Sequence, residues 1–451
     1  MVAMELGRFG DERPKKGGCD FLAAAMSRRT VCLRKLGGNR AGEMRFGRFL
    51  HNKAVTVREM IETAACATGL RAAGRHVLAI QDTTEINFAA HVNSKQGFGT
   101  VGNGTDIGLF LHPLVAVDAG HGGIIGLAGA EVLNRTGGKV ADRKARALED
   151  KESQRWLNGM ESARKILHGA DRVTVVGDRE SDIYGLFAQR GTTVDVLVRA
   201  AQNRVLGDGG VLFGKVRGWP AHESYIIDVP VKPGEIARHA EVALRFGAVT
   251  VKRPASAPGS WPASLELHVV DVIEENPPEG RKPVHWLLLT SHAVATPEAA
   301  RQIVIWYRRR WTIEQVFRTL KSQCLDIEQS QILTVEPLSK LVIVAVIAAV
   351  AVMQLIHARD GTSGQRIADA ALAFDPRFLA ALCAVLEGRT VKQKNPHPPE
   401  SLAWLSWIAG RLGGWSGYTS KGYKPAGPKT MHDGLLQLDA RHEGWKIAKC
   451  P

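Results

Sequence analysis

A chain of 451 residues, 45% of them hydrophobic, is long enough for two to four domains with buried cores. Its formal net charge of +14 attracts polyanions, and nucleic acid is the polyanion that a protein meets most often in a cell. The six cysteines show no CxxC pair and no histidine at zinc-ligand spacing, which argues against a disulfide framework or structural zinc and favours a reducing cytoplasm. The N-terminus carries no export signal, and the apolar run Leu341–Met353 is too short to span a bilayer, so we expect no membrane role.

The first 76 residues are the most basic part of the chain, with 15 Lys or Arg against 7 Asp or Glu. A helix is predicted over Val55–Arg75. Before it, the stretch around Arg45 and Arg48 mixes basic, aromatic and amide side chains that suit phosphate and base-edge contacts. A solvated basic face explains each of these residues equally well. We predict that residues 1–76 form a DNA-binding region.

Short β-branched runs follow, and they alternate with helical periodicity. In chain order they predict strands over His76–Gln81, Leu109–Val117 and Ile124–Leu133, a helix over Gln154–His168, a strand over Arg172–Gly177, a helix over Ser181–Gln189 and a strand over Thr192–Arg199. The second and third strands form a predicted hairpin. The first and fourth should be parallel neighbours because a helix crosses between them. This order is that of a ribonuclease-H-like fold, and residues 77–200 are its predicted first part.

The second half of the chain is predicted to interrupt and then complete this core. Residues 201–295 read as a β-rich insertion. Its predicted strands are Ser224–Val231, Glu241–Val251, Leu265–Ile273 and His285–Thr290. A long helix over roughly Pro297–Cys324 resumes the core within residues 296–335. The C-terminal region, residues 336–451, is helical and is interrupted by a Pro-rich linker at Lys392–Pro399. The predicted class is therefore α/β, a ribonuclease-H-like core with a β-rich insertion and helical terminal regions.

Two aspartates end predicted neighbouring strands. Asp82 follows the first strand and Asp178 follows the fourth. The carboxyl ends of parallel strands share one edge of a sheet, where ligands bind and where hard cations find oxygen ligands. Ordinary turn chemistry explains either aspartate alone equally well. Together they predict a metal-binding crevice.

The predicted long helix carries a polar pattern with the spacing Y-x2-R-x3-E-x6-K, formed by Tyr307, Arg310, Glu314 and Lys321. At the helical periodicity these four side chains fall within roughly 60° of arc. A charged helix surface with i,i+4 pairs is the alternative explanation. On the first interpretation, Glu314 adds a third carboxylate to the crevice.

The sequence resembles the DDE transposases of the insertion-sequence-four type, relatives of the transposon-five transposase. The matching stretches are QDTT around Asp82, GDRESDIY around Asp178, KESQRWL at Lys151–Leu157, NPPEG with HWLLLT within Asn276–Thr290, and YRRRWTIEQVFRTLKSQ at Tyr307–Gln323. These stretches follow one another in the order that the family has. The N-terminal part matches only loosely. The resemblance implies a protein of the bacterial cytoplasm that associates with the nucleoid.

The resemblance also implies roles for individual residues. The catalytic and metal-binding triad would be Asp82, Asp178 and Glu314. The implied DNA-binding companions are Tyr307, Arg310, Arg318, Lys321, Trp286, Arg199 and Arg204, to which we add Arg45 and Arg48. Of these, Trp286 would hold a flipped base, and Arg199 and Arg204 would touch the backbone. Arg318 departs from the family, which often has lysine there. A core tryptophan explains Trp286 equally well.

The implied activity is cut-and-paste DNA transposition. Two Mg²⁺ ions about 4 Å apart, with Mn²⁺ as a substitute, would stabilise the attacking and leaving oxygens of an in-line phosphoryl transfer. Element ends and target DNA would be the substrates, and no small-molecule cofactor is expected. Two alternatives stay open: a ribonuclease-H-like nuclease that cuts without joining, and a transposase-derived DNA-binding repressor that does not cut.

A homodimer is expected because cut-and-paste transposition must hold two DNA ends and each chain offers one triad. The C-terminal region contains four tryptophans, Trp404, Trp407, Trp415 and Trp445, and aromatic side chains at this density fill either cores or interfaces. The resemblance adds that each protomer binds one end while it cuts the other. We therefore predict that residues beyond Glu336 supply much of the dimer contact.

Overall fold

The computed structural model describes residues 5–28, 30–91, 94–102, 104–135, 154–229, 238–359, 374–388, 394–417 and 425–449. Three predicted segments lie partly outside these residues. They are Lys151–Ser153 of the KESQRWL stretch, Pro230–Val231 at the end of one predicted strand, and Lys392–Gln393 of the predicted linker.

The described strands are β1 His76–Gln81, β2 Thr84–Asn87, β3 Gly99–Val101, β4 Asp106–Asp118, β5 Ile124–Leu133, β6 Arg172–Gly177, β7 Val194–Arg199, β8 Glu223–Val229, β9 Arg238–Lys252, β10 Ser264–Glu274 and β11 His285–Thr290. The described helices are α1 Glu12–Ser27, α2 Leu33–Gly37, α3 Arg40–His51, α4 Val57–Ala72, α5 Gln154–Ile166, α6 Tyr184–Ala188, α7 Leu212–Arg217, α8 Pro297–Arg308, α9 Trp311–Arg318, α10 Val335–Ala358, α11 Pro376–Gly388, α12 Leu402–Leu412 and α13 Pro428–Lys449. The predicted strands and helices of the core are present with shifted ends. The short β2, β3 and α7 were not predicted.

All described strands join one mixed sheet in the order β2-β4-β1-β6-β7-β11-β10-β9-β8, with β3 and β5 also paired to β4. The parallel pairing of β1 with β6 confirms the prediction, and β6 is also parallel to β7. The hairpin of β4 and β5 is confirmed as well. The fold is therefore mixed α/β, as expected.

The central strands are buried on both faces. Val77, Leu78, Ala79 and Ile80 of β1 are fully buried, because alternate residues face two different hydrophobic cores. Helices α5, α6 and α7 cover one face of the sheet, and α8 and α10 cover the other. Burial on both faces explains the continuous apolar runs that mark β1 and β6 in the sequence.

The predicted insertion does not form a separate sheet. Its strand β11 pairs antiparallel with β7 of the predicted core, and β10, β9 and β8 follow outward. Backbone hydrogen bonds therefore run without a break from the core strands into residues 201–295. The insertion extends the core sheet along one edge.

The predicted long helix is wrong as a single element. It divides into α8 and α9, because the chain tightens at Arg309 and Arg310, whose amide nitrogens donate to carbonyls three residues back. After α9 the chain widens into one π-helical turn, Thr319–Gln323. The 3.6-residue periodicity of the polar pattern therefore does not hold through Lys321.

The N-terminal helices share a hydrophobic core with the C-terminal region. Phe21 of α1 and Leu50 of α3 belong to the same cluster of buried residues as Val342 of α10 and Leu435 of α13. The buried Lys340 of α10 also donates from Nζ to the carbonyl of Leu50, at 3.0 Å. The helices before residue 76 are thus part of the main body of the protein.

Helix α10 is longer than its apolar run. Among the described helices, it alone has the length and hydropathy needed to cross a membrane, and 89% of its most apolar window is buried inside the protein. The apolar run Leu341–Met353 lies within this longer helix. The predicted burial of this segment is confirmed.

His112 of β4 supports the end of β1. Its Nδ1 accepts from the Thr83 hydroxyl at 2.8 Å, its Nε2 donates to Oε1 of Gln81 at 3.2 Å, and its ring meets Trp156 edge to face. Burial, with a smaller contribution from Arg155, lowers the pKa of His112 to about 3. The ring is therefore neutral in the folded protein.

We expect His112 to weaken the fold in acid. In the unfolded chain the His112 ring is protonated below about pH 6.5, whereas in the folded chain it stays neutral down to about pH 3. The free energy of unfolding therefore falls as the pH drops through that interval. Urea unfolding at pH 7 and pH 4.5 should show a smaller loss of free energy for His112→Gln than for the wild type. The exposed His121→Gln is the matched control. Equal losses in His112→Gln and the wild type would contradict this role.

Candidate active site

Asp82 and Asp178 lie side by side at the carboxyl edge of the sheet. The parallel register pairs Ile80 with Val176, so two residues further on the two aspartates are level. Neighbouring strands are about 4.8 Å apart. The Asp82 side chain is 17% exposed, and Asp178 is half-buried. The structure therefore brings together the two aspartates that the sequence placed on neighbouring strands.

Each aspartate is held by local backbone groups. Asp82 Oδ1 accepts from the amide of Thr83 at 2.8 Å. Asp178 caps the short 3₁₀ turn Arg179–Ser181 and accepts from the amide of Glu180 at 2.8 Å. These bonds are the turn chemistry that explains either aspartate alone. They also fix both carboxylates at the crevice.

Arg310 joins the third carboxylate to this pair. Its Nη1 donates to Asp82 Oδ2 at 2.9 Å, and its Nη2 donates to Glu314 Oε1 at 2.7 Å. Its Nε is buried without a hydrogen-bond partner among the described residues. The guanidinium group is the cation that holds Asp82 and Glu314 together in this structure.

The electrostatics of the crevice favour a bound cation. Burial and, next, the negative charge of Asp178 raise the pKa of Asp82 to about 7, although Arg310 acts in the opposite direction. A buried carboxylate beside a like charge is costly to ionise unless positive charge lies close by. Arg310 supplies part of that charge.

The donor set suits a hard divalent ion. Carboxylate oxygens are the ligands that Mg²⁺ and Mn²⁺ prefer. Among the described residues, no group of three or more Asp, Glu, His or Cys side chains is already arranged around one point to hold a metal. Arg310 lies between Asp82 and Glu314 instead. A bound metal ion would balance the negative charge of these carboxylates, which the guanidinium group balances in this structure.

Tyr307 and Trp286 lie next to this crevice. Tyr307 is buried, and burial raises the pKa of its phenol although Arg310 and Arg199 lower it. The ring of Trp286, on β11, is partly buried and lies 6.5 Å from the ring of Tyr307, centre to centre. Arg199 also interacts with Tyr307 and donates from Nη2 to the carbonyl of His285 at 2.6 Å. These three predicted residues therefore form one wall.

Lys321 and Arg318 are placed differently from one another. Lys321, on the π-helical turn, pairs with Glu328 at 3.4 Å, and Glu328 accepts from the amide of Asn87 in β2. The lysine therefore pairs with a carboxylate that lies outside the predicted triad. Arg318 is exposed at the end of α9, one helical turn after Glu314.

The predicted DNA contact of Arg204 disagrees with its placement. Arg204 is buried and forms an ion pair with Asp182, whose side chain is fully buried. The other oxygen of Asp182 accepts from the amides of Ala201 and Gln202, both at 2.7 Å. This network fixes the loop after β7. Arg204 is a structural residue here, because its charge is balanced inside the protein.

The basic stretch of α3 divides between the surface and the core. Arg45 and Arg48 are exposed, and Arg45 pairs with Asp20 at 2.9 Å. Phe46 and Phe49 are buried, and Phe46 stacks on Phe21. The two arginines are therefore placed for phosphate contacts, whereas the aromatic rings belong to the core.

Sequence reasoning missed the residues that support the crevice. The bonds of His112 to Thr83 and Gln81 hold the chain on both sides of Asp82, and Asp182 anchors the loop that follows β7. For the loop anchor, the signal in the sequence is Asp182 itself, which follows Asp178 by four residues within the stretch GDRESD.

A mixed α/β sheet that places carboxylates at the carboxyl edge of neighbouring parallel strands has the place and the oxygen ligands to bind a divalent metal ion. The family described as Transposase DDE domain matches residues 74–351, from just before β1 into α10. The chain belongs to this family. It is therefore a DDE transposase, of the class that binds DNA and uses divalent metal ions to cleave it in transposition.

We expect Asp82→Asn to stabilise the metal-free protein. The folded-state pKa of about 7 lies above the usual value of 3.8, so the ionised carboxylate costs free energy, and this cost grows as the pH rises from about 4 to 7. The gain should reach about 2 kcal/mol at pH 8, after allowance for solvent screening. Urea unfolding with a chelator measures it.

Asp171→Asn is the matched control, because Asp171 is an exposed aspartate just before β6, at its opposite end. It should leave stability unchanged over the same pH range. A loss of stability in Asp82→Asn at pH 8 would show that Arg310 fully balances the Asp82 charge.

Proposed function

We propose that the chain is a cut-and-paste transposase of the insertion-sequence-four type, with a ribonuclease-H-like core and a catalytic triad of Asp82, Asp178 and Glu314. The observation that carries the triad is the fork of Arg310, which joins Asp82 to Glu314 while the parallel register sets Asp178 beside Asp82. In this proposal residues 77–200 and 296–335 form the catalytic core, and residues 201–295 extend it.

Mg²⁺, or Mn²⁺ in its place, would be held by the three carboxylates and would stabilise the attacking and leaving oxygens during phosphoryl transfer. The chain's own residues position the DNA. A guanidinium group suits bidentate contact with a phosphate, so Arg310 would exchange a carboxylate for a DNA phosphate when the metal binds. Its buried and unpartnered Nε is consistent with such an exchange.

The wall formed by Tyr307, Trp286 and Arg199 would hold the strand that is cut. A partly exposed indole ring beside the carboxylates suits stacking with an unpaired base. Arg199 would contact a neighbouring phosphate, and Arg318 would contact the backbone from the exposed end of α9. Lys321 would contact the DNA backbone only if its ion pair with Glu328 broke.

The triad is tested by Glu314→Gln. The glutamine oxygen still accepts from Arg310, so the fold should persist while a metal ligand is lost. Cleavage of a labelled element end in Mg²⁺ should fall at least about a hundredfold, because the metal stabilises the transition state by several kcal/mol. Binding to the same DNA should be unchanged.

Glu298→Gln on α8 is the matched control, since its carboxylate is exposed and pairs only with Arg301 among the described residues. It should cleave normally. Retained Mg²⁺-dependent cleavage by Glu314→Gln would refute the triad. Cleavage without joining in the wild type would point to a nuclease, and binding without cleavage would point to a repressor.

The proposal includes a homodimer that bridges two DNA ends and cuts in trans. The tryptophans that suggested a dimer contact lie elsewhere: Trp404, Trp407 and Trp415 are buried in the core of the chain, and Trp445 packs against it. The support that remains is the need for two triads in one synaptic complex. A C-terminal dimer contact would have to use exposed residues.

Mixing two inactive variants tests cutting in trans together with end binding by α3. One chain carries Glu314→Gln and the other carries Arg45→Glu with Arg48→Glu, which should bind element ends more weakly and lose the salt dependence of those phosphate contacts. The mixture should recover part of the wild-type cleavage. A mixture that stays inactive would contradict cutting in trans, and an active double-arginine variant would move end recognition away from α3.

A further inference from the structure

A cavity of about 300 Å³ opens between α7 and the strands β10 and β11. Its lining residues are Arg179, Arg199, Ala200, Phe213, Val216, Arg217, Arg245, Asp271, Ile273, His285 and Leu287. We name it the arginine pocket. It begins at Arg179, one residue after Asp178, and it includes Arg199, which also interacts with Tyr307.

The arginine pocket carries positive charge that the described residues do not balance. Of its four arginines, Arg245 is paired, with Asp271 at 3.6 Å and Glu275 at 2.8 Å. Arg179, Arg199 and Arg217 form no ion pair with any described carboxylate. Three such guanidinium groups around one small cavity create an anion site, because each can donate to phosphate oxygens.

The wall between the arginines is apolar. Phe213 and Val216 of α7 line it together with Ile273 and Leu287. An aromatic ring in such a wall suits the flat face of a nucleobase. A volume of about 300 Å³ is at the lower limit of ligand cavities, so it suits one nucleotide and excludes a base-paired duplex.

The arginine pocket is built in advance. Asp182 anchors the loop after β7 through the amides of Ala201 and Gln202 and through Arg204. The start of α7 is tied to the same loop, because the amide of Phe213 donates to Asn203 at 2.9 Å. A site held in its binding conformation loses little entropy when a ligand enters.

The arginine pocket shares Arg199 with the Trp286 wall, but its apolar lining lies on the other face of the sheet. Successive side chains of a strand point to opposite faces. Leu287 belongs to the hydrophobic core on the α5 side of the sheet, whereas Trp286 packs against the core on the α10 side. A nucleotide in the arginine pocket is therefore not the one that would stack on Trp286.

We infer that the arginine pocket binds a single unpaired nucleotide of a DNA strand that passes the carboxylates, with the phosphate on Arg179 and Arg217 and the base on Phe213. This site rests on the proposed function, since it supposes that DNA runs along the crevice. It adds a second place where a strand leaves its duplex. Separation of the strands on both faces of the sheet would hold the cut phosphate at the crevice.

Photo-crosslinking without metal tests the site on the full chain. A short single-stranded oligothymidine that contains one 5-iododeoxyuridine is bound in the presence of a chelator, irradiated and mapped by mass spectrometry. The crosslink should fall on Phe213. Arg217→Gln should weaken binding of the oligonucleotide about tenfold, which is the effect of losing one charged hydrogen bond. Phe213→Leu should lose the crosslink and retain most of the affinity.

Arg377→Gln is the matched control, because it removes the same charge from an exposed position on α11. It should bind like the wild type. A crosslink only at other residues, or wild-type affinity in Arg217→Gln, would overturn the site. Equal binding of a duplex of the same length would refute the unpaired nucleotide, and displacement by pyrophosphate with no crosslink would reduce the pocket to an anion site. No step involves cleavage, so an inactive triad would leave these results intact.

Discussion

The pairing of β1 with β6 places two partly buried carboxylates next to one another, and the rest of the site depends on this placement. Like charges at this distance cannot both ionise cheaply, so a cation must come near. In the protein alone that cation is Arg310, which also ties Glu314 to Asp82. Helices α8 and α9 pack on the sheet, and the chain tightens between them at Arg310. This arrangement positions the guanidinium group between Asp82 and Glu314.

The same sheet connects parts that the sequence presents as separate. Because β11 pairs with β7, the loop after β7, the helix α7 and the outer strands all share one rigid frame with the carboxylates. The N-terminal helices share a core with α10 and α13. Removing residues 1–76 would therefore uncover hydrophobic surface, and the DNA-binding role of α3 is better tested by exchanging its exposed arginines.

Sequence reasoning reached the elements whose signal is local. The strands before Asp82 and Asp178 are runs of buried β-branched residues, and their parallel pairing follows from the helix between them. It failed where tertiary contacts decide the outcome. The spacing of the polar pattern does not predict the π-helical turn that places Lys321 next to Glu328. The ion pair of Arg204 with Asp182 is likewise visible only in the folded structure. Buried charge pairs of distant residues leave little mark on local composition.

The placement of charge in this protein separates the arginines that are balanced inside the molecule from those that are proposed to contact DNA. Arg204 and Arg245 are satisfied by carboxylates inside the molecule, and a guanidinium group balanced in this way has little to gain from a phosphate. Arg310 is satisfied only by carboxylates that a metal ion would claim. Arg217 has no carboxylate partner among the described residues. Near the carboxylates, the arginines proposed to take a DNA phosphate are therefore those without a carboxylate partner among the described residues, or those whose partners a metal ion would bind.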